Sequence, residues 1–295
     1  MSFLNPVNEP VLRFKSTDAG APQINYAART AGDVKAVLKA CLVTGYGSVA
    51  SAGWSIVNEV DHVAEFVSPS AAMSDYRFGI DDKAATNTVW YYQYQDARTD
   101  PTGSTINKAI PMHSKTSPDN GWNVLVTARG VMFIELLGIT GGVISRVTYL
   151  GLNKLPSNNT GVNISFFRSG PDTYYPMTDW TTPRYININN TTSGYRYFGN
   201  ICTELANSVP GLASSAVTDG GVYVVSTNEG FAAQLPCVYL RAGGELPTNP
   251  SVTRVAGLDR DCLNLVIAGQ ATSANFTSIA TLAIQMLIPI DYWGY

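Results

Sequence analysis

The side chains able to carry proton-transfer chemistry are few and scattered. Carboxylates stand at Asp81-Asp82, Glu135, Asp172 and Asp179. Glycosidic hydrolysis needs two such groups at a set distance in a cleft, not at a set sequence interval, so the pattern permits that chemistry without marking it. The plainer account gives Asp81-Asp82 to a turn after a strand. It gives Glu135, inside VMFIELLG, an ion pair with Arg129 or Arg146. His62 in VDHVAEF is expected at the surface of a hairpin and His113 in PMHSKTS in a loop. No GxSxG elbow accompanies them. Cys41, Cys202, Cys237 and Cys262 make no CxxC pair, and with two histidines they match no standard zinc spacing. They are expected to be reduced and mostly buried. This reading assigns no catalytic, cofactor-binding or metal-binding residue.

One segment has the look of a phosphate-binding loop: KACLVTGYGSVASAGW, residues 39–54. It lacks a GKS or GKT ending, and it follows a helical pattern where a phosphate loop follows a strand. Upstream, Val34, Val37, Leu38, Cys41 and Leu42 recur at the spacing of one apolar helix face, with Lys35 and Lys39 on another. Thr30 and Asp33 have capping-box spacing. Gly45 is expected to end the helix, with Gly47 and Gly53 allowing turns. Tyr46 and Trp54 are expected to plug the bend. The segment therefore builds a corner.

The elements around this corner are mostly strands. SAGWSIVNEVDHVAEFVS predicts a hairpin, followed by strands in YRFGIDD and TNTVWYYQYQDA. NGWNVLVTARGVMFIELLG predicts two strands around Arg129-Gly130, and SRVTYLGLNKLP another. Residues 153–194 are the least regular part, for which a long insertion or several turns give the same pattern. Strand character returns in GVYVVSTN, CVYLRAG, LNLVIAG and ATLAIQMLIPIDYWGY. The expected fold class is mainly β: antiparallel β-sheets packed with one early α-helix. Residues 1–29, with Pro6, Pro10 and Pro22, read as an extended N-terminal arm. Residues 30–295 read as a β-rich domain that admits a subdivision near 152–160.

Charged residues are 14% of the 295-residue chain, against roughly 25% in typical soluble domains, while hydrophobic residues are 45%. Such a surface suits a protein covered by neighbours. The formal charge is −3, with no cationic block to follow a phosphate backbone, so no direct nucleic-acid binding is expected. MSFLNPVNEP lacks the pattern of a signal peptide, and the apolar runs are too short to cross a bilayer, so no membrane insertion is expected. Aromatic residues cluster in WYYQY (90–94), Tyr174-Tyr175, Trp180, YRYF (195–198) and YWGY (292–295). Core packing, contacts between subunits and stacking on sugars all use such residues.

LKACLVTGYGSVASAGW resembles the signature segment of a family of tailed-bacteriophage virion structural proteins, which share a KACLV-GYG-AGW pattern. The matching residues are Lys39 to Val43, Gly45 to Gly47, Ala52, Gly53 and Trp54. The likeness continues more weakly through YRFGIDD, NGWNVLVTARGVMFIELLG, YFGNI (197–201), LRAGGELP (240–247) and PIDYWG (289–294), covering most of residues 30–295. The resemblance implies a structural component of the particle, made in the bacterial host cytoplasm and located in the virion, slightly favouring neck or tail. It implies other virion proteins as partners, a homo-oligomer within the particle, no enzymatic residue set and no cofactor. The alternative is a peripheral module binding a host glycan or receptor through residues 158–200, with Tyr174 and Trp180 as contacts. A glycan hydrolase ranks third.

Overall fold

The computed structural model describes residues 7–24, 30–74, 76–82, 89–96, 107–113, 119–139, 142–152, 164–169, 184–189, 192–197, 217–226, 230–242, 250–255, 259–268 and 284–295. The described chain is mainly antiparallel β-sheet with one early α-helix. It begins with β1 (Asn8–Pro10), β2 (Leu12–Lys15) and α1 (Asp33–Lys39), which runs into a π-helical turn, Ala40–Thr44. Next come β3 (Ser55–Val60), β4 (Val63–Val67), a 3-10 turn at Ala71–Met73, β5 (Tyr76–Asp81), β6 (Val89–Asp96) and β7 (Asn107–His113). Then follow β8 (Asp119–Thr127), β9 (Gly130–Ile139), β10 (Gly142–Leu152), β11 (Ile164–Ser169), β12 (Arg184–Asn189) and β13 (Thr192–Tyr197). The chain closes with β14 (Val217–Ser226), β15 (Gly230–Ala242), β16 (Ser251–Val255), β17 (Arg260–Ala268), β18 (Ile284–Pro289) and β19 (Tyr292–Gly294).

Two compact units divide the chain. One holds Leu12–Leu137 and Tyr149–Gly151; the other holds Met1–Val11, Gly138–Thr148 and Leu152–Tyr295.

In the Leu12–Leu137 unit, one sheet runs β3-β4-β5-β6-β7, every neighbour antiparallel. The β3–β4 hairpin turns on Asp61-His62, as its alternation predicts. Phe66 and Phe78 face each other across β4 and β5, their rings 5.8 Å apart, on the buried side of that sheet with Ala64 and Ile80. His113 ends β7 opposite Val89, so it belongs to a strand rather than a loop. A second group of strands runs β2-β8-β9. Residues 122–127 and 131–136 are all buried, on both faces of their strands. That double burial explains why WNVLVT and VMFIEL read as nearly continuous apolar runs instead of alternating ones.

The helix and the corner after it are tied to both groups of strands. Val34, Val37, Leu38, Cys41 and Leu42, the predicted face, are fully buried. At the helix end, the Gly45 amide donates to the Ala40 carbonyl at 2.8 Å, widening the last turn to π geometry. The carbonyls of Cys41 and Leu42 then accept from the returning amides of Ala52 and Trp54, each at 2.9 Å. Helix C-termini leave such carbonyls without intrahelical donors, and here the far leg of the corner supplies them. Tyr46 and Trp54 are buried plugs, as expected. The Tyr46 ring lies 6.1 Å from Phe14 of β2 and 6.4 Å from Trp122 of β8, and its hydroxyl donates to Asp18 Oδ2 at 2.9 Å. Trp54 Nε1 donates to the Thr127 carbonyl at 3.2 Å.

In the other unit, a five-stranded antiparallel sheet runs β14-β15-β18-β17-β16. Cys262, Leu263, Leu265, Leu287 and Ile288 are fully buried in it. Strands β11, β12 and β13 pair in sequence order, so in the polar run NINNTTSG (187–194) residues 187–189 and 192–194 lie in paired strands. Asparagine and threonine there are compatible with a strand whose main-chain bonds do not depend on side chains. The two chain ends meet as β1 antiparallel to β19.

The corner makes a sharp demand on Gly47. Its φ is +53°, and a Cβ placed there would sit 2.3 Å from the Ala19 carbonyl oxygen. Gly53 also has positive φ, +77°, but a Cβ there meets nothing within 4 Å. Gly53→Ala is expected to cost only the left-handed backbone penalty, about 1–3 kcal/mol. Gly47→Ala should cost distinctly more, because main chain must move as well. Urea unfolding midpoints at unchanged slope check this. Equal losses at the two positions would mean that the close approach of residues 19 and 47 does not hold.

Candidate functional site

A set of polar side chains gathers at the start of α1, and it forms because a seven-residue helix cannot stand alone. Its first amides need acceptors, and its N-cap is Gly32, which has no side chain to offer. The missing acceptor arrives from the end of β5. Asp82 is fully buried, and its Oδ2 accepts from the Val34 amide at 2.8 Å and the Lys35 amide at 3.1 Å. The Asp82 carbonyl accepts from the Gly32 amide at 2.9 Å, and its own amide donates to the His62 carbonyl at 3.0 Å. One residue thus joins the helix start, the β3–β4 turn and the end of β5. The charge also lies at the positive end of the short helix.

The expected capping box forms by half. Asp33 Oδ2 accepts from the Thr30 amide at 3.0 Å, but the helix begins after Gly32, so Thr30 is not its cap. Further along the helix, Glu59 of β3 accepts from Lys35 at 2.8 Å and from Lys39 at 2.9 Å. Those hydrogen bonds, Lys35 first, hold the Glu59 carboxyl below its usual range. The Lys35 ammonium also donates to the Asp61 carbonyl. The arrangement is a set of charges engaged in holding a helix on a sheet.

The other candidates named from the sequence do not converge on this place. Asp81 is half-buried in β5, its backbone opposite Val63 and Tyr91. Glu135 is fully buried in β9 opposite Trp122 of β8. The side chain of Arg146, one of its two expected partners, lies outside the described residues, as do Asp172 and Asp179. Cys41 and Cys262 are free, buried thiols, Cys237 is buried as well, and Cys202 lies outside the described residues. Burial pushes the Cys41 thiol far above its ordinary range and that of Cys262 up to about 11, which suppresses the reactive thiolate. Among the described residues, no group of three or more His, Cys, Asp or Glu side chains could hold a metal ion. No helix among them is long and apolar enough to cross a membrane.

Of the aromatic clusters, Trp90 to Tyr94 lie in β6, and Tyr195 and Tyr197 in β13. Tyr174, Tyr175, Trp180 and Phe198 are outside the described residues. Trp293 is fully buried, and its Nε1 donates to the Pro289 carbonyl at 3.0 Å; Tyr292 packs under Arg260, whose guanidinium carbon stands 3.8 Å from the ring centre.

A second kind of site is a surface. The exposed large hydrophobic residues among those described are Val7, Leu12, Val57, Val60 and Val252. Isolated exposed valines are ordinary, but these share a placement. Leu12 lies in β2, Val57 and Val60 in β3, and Val252 in β16, each the terminal strand of its sheet among the described residues; Val7 directly precedes β1 of the two-stranded pair. Terminal strands present unpaired backbone groups, and apolar side chains there invite another strand. In β3 the register shifts between Ile56 and Asn58, which leaves Val57 as a bulged residue. The only charge in that strand, Glu59, is already shared by two lysines. Nothing in the sequence flagged these valines, since edge position follows from strand order.

No protein-family model matches the chain, and no curated protein or solved structure is similar to it.

Asp82→Ala removes the acceptor of two helix amides at a buried place and is expected to cost about 1–3 kcal/mol. Asp82→Asn keeps an oxygen and should cost less. Thermal unfolding followed by circular dichroism checks the order. An alanine variant as stable as the parent would show that the helix start does not depend on this carboxylate.

Proposed function

We propose that this chain is a structural component of a tailed-bacteriophage particle, held by neighbouring virion proteins and by further copies of itself, in the neck or tail. The observation that carries the reading is the placement of exposed apolar side chains on strands that end their sheets among the described residues. Strand addition at such edges gives affinity through main-chain hydrogen bonds, with side chains supplying selectivity. The low charge content adds to it, because few ions need to be stripped of water when the surface is covered. The resemblance of residues 38–54 to the virion signature supplies the kind of assembly. The polar side chains that gather around Asp82 are engaged in holding the helix, so the reading asks no turnover of them. The glycan-binding alternative leans on residues 158–200, most of which lie outside the described residues.

Val57→Lys and Val60→Lys test the reading together, since lysine on an edge strand opposes pairing. Both positions are at least half exposed, at 50% and 60%, so each substitution should leave folded stability within about 0.5 kcal/mol. Purified particles carrying the unaltered gene are expected to contain the chain in many copies by mass spectrometry. The double variant is expected to be depleted several-fold. A chain missing from the unaltered particles would sink the proposal; undiminished incorporation of the variant would remove the β3 edge from it.

A further inference from the structure

We propose that β1 is an exchangeable strand: it closes on β19 of its own chain in the free protein, and on β19 of a second copy where copies are held together. Three observations lead there. First, main-chain to main-chain bonds fasten it. Val7 and Tyr295 exchange both hydrogen bonds, each 3.0 Å, and the Val11 amide donates to the Asp291 carbonyl at 3.0 Å. Such bonds depend on the path of the strand and not on which copy supplies it. The alternation of an antiparallel pair puts Pro10, opposite Tyr292, at a position that needs no N–H.

Second, the strand is short and part-exposed. It has three residues, with a burial pattern of exposed, intermediate, exposed, and among the described residues its sheet partner is β19 alone. A two-stranded ribbon of that length is marginal in water. Val7 and Leu12, on either side of it, remain 44% and 45% exposed, so apolar surface stays unburied when the strand closes on its own chain. Third, the division between the two compact units falls directly after it. Val11 closes the segment that groups with β19, and Leu12 opens the segment that groups with β8. A residue at that junction is placed to act as the hinge of a strand exchange.

Concentration decides which partner is taken. A tethered strand sees its own β19 at an effective concentration on the order of millimolar. A second copy competes only where chains are packed at comparable density. An assembled particle supplies that density, and to this extent the inference rests on the assembly reading. The partner is a second copy of this chain, because only it carries the Asp291–Tyr295 path in the same register.

Introduced cysteines read the exchange directly. Asn8 and Gly294 form a narrow, non-hydrogen-bonded pair, with Cα atoms about 4.5 Å apart, within the reach of a disulfide. Dilute full-length protein carrying both Asn8→Cys and Gly294→Cys is expected to close an intrachain bond, which also shows that it folds with the strand in place. Full-length Asn8→Cys and Gly294→Cys chains, mixed and oxidised, are expected to give almost no cross-link between positions 8 and 294 at micromolar concentration. At about 1 mM that link should rise at least tenfold, mapped by peptide mass spectrometry against the parent chain under the same oxidant. Exchange is overturned if the doubly substituted chain closes internally while the mixture stays unlinked at the higher concentration. It is also overturned if the doubly substituted chain does not close at all. Neither result touches whether the chain is present in particles, so this inference and the assembly reading fail separately.

Discussion

A buried carboxylate is costly unless donors surround it, and a short helix is unstable unless acceptors meet its first amides. Asp82 brings the two needs together. Its Oδ2 serves the amides of Val34 and Lys35, and its main chain binds Gly32 and His62. The helix is thereby fixed to a sheet whose strands lie further along the chain. Lys35 and Lys39, reaching Glu59 of β3 from the same helix, fix its rotation as Asp82 fixes its start. Without the carboxylate, two buried amides lose their acceptor, and the helix loses the interaction that sets where it begins.

The far end of the helix follows from the near end. Once the apolar face is committed to the core, the chain must turn back within a few residues to start β3. The π turn does this while leaving two carbonyls for Ala52 and Trp54, so the bend is hydrogen-bonded on both legs. Tyr46 and Trp54 then anchor it on β2 and β8. Asp18 reinforces the anchor: burial pushes its carboxyl up, but the Lys15 amide, the Tyr46 hydroxyl and the Lys15 ammonium outweigh that and hold it below the ordinary range. Gly45 and Gly47 serve the close approach of one backbone to another, whereas Gly53 supplies only a positive φ.

Local periodicity made the helix face, the β3–β4 and β8–β9 hairpins and the corner legible from residues alone, because each is decided by near neighbours in the chain. The role of Asp82 was not legible, since its partners are 47 and 48 residues away and an Asp-Asp pair after a strand is equally at home in a turn. The capping box misplaced the helix start for a related reason: Thr30 and Asp33 do bond, but a remote carboxylate relieves the helix of needing Thr30 as its cap. The β12–β13 hairpin was hidden by its composition, as asparagine and threonine signal turns more strongly than strands. The candidate surface was the least legible feature. Val57 and Val60 are ordinary strand residues until strand order places them on an edge and the register shift turns Val57 out.

The interior and the edges of this chain obey opposite rules, and the contrast bears on what the fold is for. Inside, Asp82 Oδ2 serves two amides, and the Trp54 and Trp122 indoles each reach a carbonyl. At the edges, apolar residues stay exposed on strands that end their sheets. A protein selected only to remain dispersed would place charge there, as natural edge strands commonly do. Here the one charge of β3, Glu59, is engaged with two lysines of the helix, and the rest of that strand is uncharged, with β-branched Ile56, Val57 and Val60. Aggregation is avoided only if something else covers such an edge, or if the bulge at Val57 makes pairing selective. Fixed neighbours in the proposed assembly would meet the first of these conditions with the residues this chain has.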